Sequence, residues 1–140
     1  NSNTRLWNQT FAPGGEPFAL AVDAQRDRLY VLYALFGNYP DRVAVYSLAA
    51  SGASRIGTVE VEDGGADGGS GIAVNPTTGH VFVANSARDT VTVFDGPTST
   101  VLATVAVGDD PGMLGVNPVT NRVYVSNRGD DTVQVFEDSF

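Results

Sequence analysis

Residues 72–95 read IAVNPTTGHVFVANSARDTVTVFD, and the same pattern returns without a gap at residues 114–137 as LGVNPVTNRVYVSNRGDDTVQVFE, an offset of 42 residues. Asn75-Pro76 falls on Asn117-Pro118, Thr78 on Thr120, Val81-Phe82-Val83 on Val123-Tyr124-Val125, Asn85 on Asn127, and Asp89-Thr90-Val91 on Asp131-Thr132-Val133. Self-similarity at a fixed period of roughly 20–50 residues marks an array of supersecondary units. A looser copy begins at Leu20, where Ala21-Val22-Asp23 precedes Arg28-Leu29-Tyr30-Val31 and, later, Arg42-Val43-Ala44-Val45-Tyr46. Its extra residues fall in Tyr33–Asp41, Leu48–Gly57 and Glu62–Ser70, and connections are where rigid strands tolerate insertion.

Within one copy the pattern is that of strands. Val81-Phe82-Val83-Ala84 and Val91-Thr92-Val93-Phe94 are short β-branched and aromatic runs punctuated by Asn, Asp, Ser and Gly. Apolar residues on both faces suit a small sheet packed between two neighbours. Asn75-Pro76-Thr77-Thr78-Gly79 reads as a tight turn, with Pro76 presetting φ and Gly79 free to take φ > 0. A full copy then holds four strands: Gly71–Val74, His80–Ala84, Thr90–Asp95 and Val101–Val107. Four antiparallel strands in about 42 residues make one blade of a β-propeller. No ten-residue window shows 3.6-residue apolar spacing, which excludes a helical solenoid.

The motifs NPxTxxVxVxN and DTVxVF, at residues 75–94 and 117–136, resemble the YVTN-type propeller repeat, whose namesake tetrapeptide stands here as Tyr124-Val125-Ser126-Asn127. The likeness covers about residues 18–137; the first copy departs from it, with Tyr33 where Asn85 and Asn127 stand. The resemblance implies an all-β propeller. Because such repeats occur in surface-layer and secreted proteins, it also implies an extracytoplasmic, cell-surface or secreted setting. It carries over no catalytic residue.

The expected organisation is one domain over 1–140, with blades at about 18–61, 70–107 and 112–137 and an outer strand within Arg5–Phe11. The last copy stops after its third strand, so the chain amounts to three blades' worth of strands. Rings close with about 4–8 blades, so two apolar flanks and one open strand edge need covering. The favoured solution is a homodimer forming a six-bladed ring, each Arg5–Phe11 completing the other chain's last blade. The alternative is that these residues are part of a larger propeller, and a chain starting at Asn1 without Met is consistent with a processed or excised piece.

Eight Lys and Arg against 16 Asp and Glu give a net charge of −8, which repels phosphate backbones; nucleic acid and anionic membrane are poor partners. No run approaches the ~20 apolar residues of a spanning helix, so no membrane insertion is expected. The absence of Cys excludes disulfides, thiolate zinc sites and a cysteine nucleophile.

Strand order sorts the loops onto two mouths of the channel. The first holds most of the acid, Glu16, Asp41, Glu62, Asp63, Asp67, Asp89, Asp109, Asp110, Asp130 and Asp131, with Arg42, Arg88 and Arg128 among them; the second, with Asp23, Arg26, Asp27, Arg28, His80 and Arg122, is nearly balanced. A negative rim suits a protein, basic peptide or other cationic ligand, or Ca²⁺ held by carboxylate and carbonyl oxygens. Glu62–Ser70, EDGGADGGS, is the one low-complexity stretch; it matches no EF-hand spacing and reads first as a connector and second as a calcium loop. Tyr33, Phe36 and Tyr39 form an aromatic insertion on the same mouth, read either as a contact surface or as packing on the first blade. His80, the one histidine, reads as a solvent-facing strand start without a nucleophile motif beside it. Asn85, Asn127, Asp89 and Asp131 recur, which points to bracing of a turn rather than to a single active site.

The favoured reading is a non-catalytic recognition or scaffold module whose binding residues are Tyr33, Phe36, Tyr39, Asp63, Asp67, Asp109, Asp110 and Arg128, with no cofactor unless calcium. The alternative is a metal-dependent lyase or hydrolase with carboxylates converging on the channel. A third reading is a structural piece of a cell-surface assembly.

Overall fold

The computed structural model describes residues 7–11, 15–35, 40–62 and 71–140. Among them lie three antiparallel sheets that meander in chain order. The first comprises β1 Gly15–Asp23, β2 Arg28–Leu35, β3 Arg42–Ala49 and β4 Gly52–Glu60. The second comprises β5 Ile72–Val74, β6 His80–Asn85, β7 Thr90–Asp95 and β8 Thr100–Ala106; the third has β9 Pro111–Asn117, β10 Arg122–Asn127 and β11 Thr132–Glu137. The one helical element among the described residues is a 3-10 turn at Ser86–Arg88. These are propeller blades, and β1, β5 and β9 lie side by side as their inner strands.

The sequence makes each blade in the same way. A polar residue ends the inner strand and caps the next turn: Asp23 Oδ1 accepts from the Gln25 and Arg26 N–H groups, Asn75 Oδ1 from Thr77, and Asn117 Oδ1 from Val119 and Thr120. Each turn closes on a left-handed residue, Asp27 (φ 51°), Gly79 (φ 87°) or Asn121 (φ 51°), the residue types that adopt this conformation at least cost. Valine-rich alternation then places one row of side chains on each face.

Blade joints bury both rows. Tyr30, Leu32, Val43 and Val45 of the first blade meet Ile72, Val81, Val83 and Phe94 of the second. At the next joint Phe82, Val91 and Val93 meet Val123, Val125, Leu114, Val116 and Phe136, and the Phe82 and Phe136 rings stand edge to face at 6.1 Å. At about 25 cal/mol per Å² of apolar surface, these joints supply most of what holds the blades together. The third blade's other face has no such cover. Tyr124, Val133 and Val135 are 36%, 68% and 46% exposed, whereas their 42-residue counterparts Phe82, Val91 and Val93 are fully buried.

The two joints solve one packing problem differently. The Tyr30 hydroxyl reaches the second mouth, where position 96 is glycine; a Cβ there would collide with that hydroxyl and lie 2.7 Å from the Gly79 carbonyl. At the second joint the aromatic is Phe82, which has no hydroxyl, and the counterpart of Gly96 is Asp138.

Residues 7–11 form no strand within the single chain. They cross the outer face of the first blade, where Trp7 meets Tyr46 edge to face at 5.2 Å and Phe11 packs on Tyr33 at 5.0 Å. The expected pairing of this segment is with a second copy of the chain. The rest of the expected Arg5–Phe11 strand, Arg5 and Leu6, lies outside the described residues.

Candidate functional site

The two mouths emerge as the meander dictates. On the first, Arg128 Nη2 donates to Asp110 Oδ1 at 2.8 Å, the Arg128 and Gly129 N–H groups donate to the carbonyls of Asp110 and Asp109, and the Asp110 N–H donates to Asp89 Oδ1 at 3.0 Å. Asp109, Asp110 and Arg128, three of the residues singled out in the sequence, are thus brought together. Their bonds serve the turns. The Arg128–Asp110 pair is half exposed, and such pairs contribute at most about 1 kcal/mol. Asp130 joins the same turn: the Thr132 hydroxyl, donating at 2.5 Å, and the Asp109 N–H hold its carboxyl below the usual carboxylate range.

Tyr33 is placed otherwise than an exposed contact residue would be. It is 5% exposed in β2, beneath Phe11, with the Arg55 guanidinium 5.7 Å from its ring centre and Arg55 Nη2 donating to its hydroxyl at 3.0 Å. Of the two roles weighed for it, packing on the first blade is the one the geometry gives. Phe36, Tyr39, Asp63 and Asp67 lie outside the described residues, as does most of the Glu62–Ser70 stretch. Among the described residues no three His, Cys, Asp or Glu side chains gather as metal ligands.

The recurring polar residues brace turns. The Asn127 amide donates to Thr132 Oγ1 at 3.1 Å, the Asn85 amide lies 3.0 and 2.9 Å from the Thr90 and Thr92 hydroxyls, and Asp89 and Asp131 take the left-handed conformation (φ 54° and 55°).

The second mouth holds a more organised polar group. Asp138, just past β11, has a side chain with no solvent exposure. Its Oδ1 lies 2.6 Å from His80 Nδ1, and its Oδ2 accepts from Thr78 Oγ1 at 2.6 Å and from Asn75 Nδ2 at 2.7 Å. Asn75 Nδ2 also donates to Asn121 Oδ1 at 3.1 Å, and the Asp138 N–H donates to the Asn121 carbonyl at 2.8 Å. A buried carboxylate is tolerated when hydrogen bonds replace its water, and here three side chains do so. His80 is therefore not the solvent-facing residue its strand-start position suggests. Its side chain is 14% exposed, and its ring stands edge-on to Phe140 at 6.5 Å. Sequence reasoning missed Asp138, which follows the last repeat motif by one residue. The available signal was its alignment with Gly96, which places it at the second mouth beside the Asn75–His80 turn.

No protein-family model matches the chain, and no curated protein is detectably similar to it. Solved structures are. The chain aligns over 92% of its length, at 24% identity and TM-score 0.77, with 36% of a candidate 6-phosphogluconolactonase from Bacteroides fragilis. It also aligns over 94% of its length with 34% of Kuenenia stuttgartiensis hydrazine synthase (21% identity, TM-score 0.68), and over 79% with 34% of a Xanthomonas campestris gluconolactonase (18% identity, TM-score 0.62). At these identities the likeness shows the fold, and the chain spans about a third of the length of each. Two of the three carry lactonase names. That overturns the expectation of a non-catalytic recognition or scaffold module.

Proposed function

We propose that the chain is the three-blade part of a β-propeller hydrolase that opens lactones, cyclic esters of hydroxy acids, and that its repeats are of the YVTN type. The observation that carries the proposal is the superposition of 92% of the chain on a propeller named as a lactonase. In support, the second mouth holds an imidazole fixed by a buried carboxylate, the pairing that general-base hydrolysis uses. The exposed face of the third blade is completed in this proposal by further blade surface, taken first from a second copy of the chain. An extracytoplasmic setting belongs to the same reading and rests on the YVTN-type resemblance. The experiment is to add glucono-δ-lactone to the 140-residue chain and follow acid release in a pH-stat, with spontaneous hydrolysis subtracted. A rate proportional to protein concentration is expected; a rate equal to the blank at all protein concentrations refutes the proposal.

A further inference from the structure

From the geometry of the second mouth we infer that His80 is the general base of this chain and Asp138 its positioning residue, acting on the ester carbonyl of a lactone. The inference rests on the hydrolase reading above. Asp138 has no solvent-exposed side-chain surface, and both its oxygens are committed: one to His80 Nδ1 at 2.6 Å, the other to Thr78 and Asn75. Held from two sides, the carboxylate cannot turn away, and it accepts a hydrogen bond from the imidazole Nδ1–H. That leaves the lone pair on Nε2, which makes no hydrogen bond among the described residues. A base oriented by a buried acid, with its second nitrogen free, is the arrangement in which an imidazole can take a proton from water. The first blade's turn has a buried carboxylate of its own, Asp23, but that one is paired with the Arg26 guanidinium at 3.0 Å, whereas Asp138 is paired with an imidazole. The edge of Phe140, itself packed on Phe136 at 6.4 Å, supplies an apolar wall beside the ring. The other charged groups near this edge are Arg26, which donates to the Pro76 carbonyl at 2.8 Å and is paired with Asp23, Asp95, opposite His80 in the ladder, and the Arg122–Glu137 ladder pair of the third blade.

The step balances without a cofactor. Nε2 accepts a proton from water as the water oxygen bonds to the lactone carbonyl carbon. The tetrahedral adduct collapses by breaking the ring C–O bond, and the imidazolium returns the proton to the leaving alkoxide. The product is the open hydroxy acid.

The test uses His80→Gln and Asp138→Asn in the 140-residue chain with glucono-δ-lactone, together with long-range 1H–15N spectra, which contain one imidazole because the chain has one histidine. General-base removal costs about 10²–10⁴-fold, so H80Q is expected to lower kcat/KM at least about 100-fold and to abolish its acid limb against pH. D138N is expected to lower kcat with the acid limb retained. The wild-type spectrum is expected to show Nδ1 protonated and Nε2 bare, and D138N to lose that single tautomer. An active wild type with H80Q unchanged overturns the assignment and leaves the hydrolase reading standing. An inactive wild type removes the hydrolase reading, and the inference falls with it. A wild-type imidazole protonated at Nε2 overturns the assignment whatever the activity, and this holds even if D138N folds poorly.

Discussion

Val91 and Val133 are the same residue at the same position of successive repeats, on the same face of the third strand of their blades, yet Val91 is fully buried and Val133 is 68% exposed. Truncating each to alanine therefore isolates the worth of blade cover. Removing two buried methyl-sized groups costs about 1.6 kcal/mol at ~0.8 kcal/mol each, and the cavity left under the third blade brings Val91→Ala to about 2 kcal/mol. Val133→Ala forfeits about a third of the transfer term and leaves no cavity, so about 0.5 kcal/mol is expected. The lower strand preference of alanine enters both and cancels in the comparison. For a chain of this length about 3 °C of melting temperature corresponds to 1 kcal/mol, giving roughly 6 °C for Val91→Ala and 1–2 °C for Val133→Ala by calorimetry. The measurement belongs at dilutions where light scattering reports the 14.6 kDa single chain. Equal losses there would refute the reasoning, because they would mean that both valines are covered within one chain.

Three further outcomes are expected. Raising the concentration should yield a species of twice 14.6 kDa by light scattering, and the Val133→Ala loss should climb toward that of Val91→Ala; a mass that stays at 14.6 kDa removes the second copy as the cover. Burial, with Asp23 nearby, pushes the Tyr30 hydroxyl up to about 12 from 10.0, so the neutral form is favoured in the folded chain. Stability should fall by roughly 2–3 kcal/mol as pH rises from about 10 to 12, where only the unfolded chain ionises that tyrosine; Tyr30→Phe should flatten this slope in urea titrations, and an unaltered slope would assign it elsewhere. Gly96→Ala should cost about 1–3 kcal/mol, with a smaller loss in a Tyr30→Phe background but not none, since the Gly79 carbonyl still lies 2.7 Å from the added Cβ; full rescue would contradict that geometry.

The repeat made the strands legible to within a residue. His80–Ala84 is observed as His80–Asn85, Val101–Val107 as Thr100–Ala106, and Thr90–Asp95 unchanged. The reason is local: β-branched runs bounded by Asn, Asp and Gly carry their own boundaries. What the pattern does not carry is which neighbour lies across a face. Val91 and Val133 look identical in sequence, and Tyr33 reads equally well as rim or as core until Phe11 is seen lying on it. The second-mouth group was hidden for a related reason, because His80 and Asp138 are 58 residues apart and meet only across a joint between blades. Asp109, Asp110 and Arg128 do meet, since strand order alone assigns loops to mouths.

The exchange of Tyr30 and Gly96 at one joint for Phe82 and Asp138 at the corresponding positions of the next has a bearing on how such a molecule can be rebuilt. Modules cut at repeat boundaries separate each aromatic from the residue that accommodates it, because the two belong to consecutive units. A shuffled copy that sets a tyrosine-bearing unit ahead of one carrying aspartate at that site would force a phenol against a carboxylate. Units of this chain are thus interchangeable in outline but keyed at their seams, and because each aromatic and its partner position are more than one 42-residue period apart, lock and key travel together only in grafts of two consecutive units.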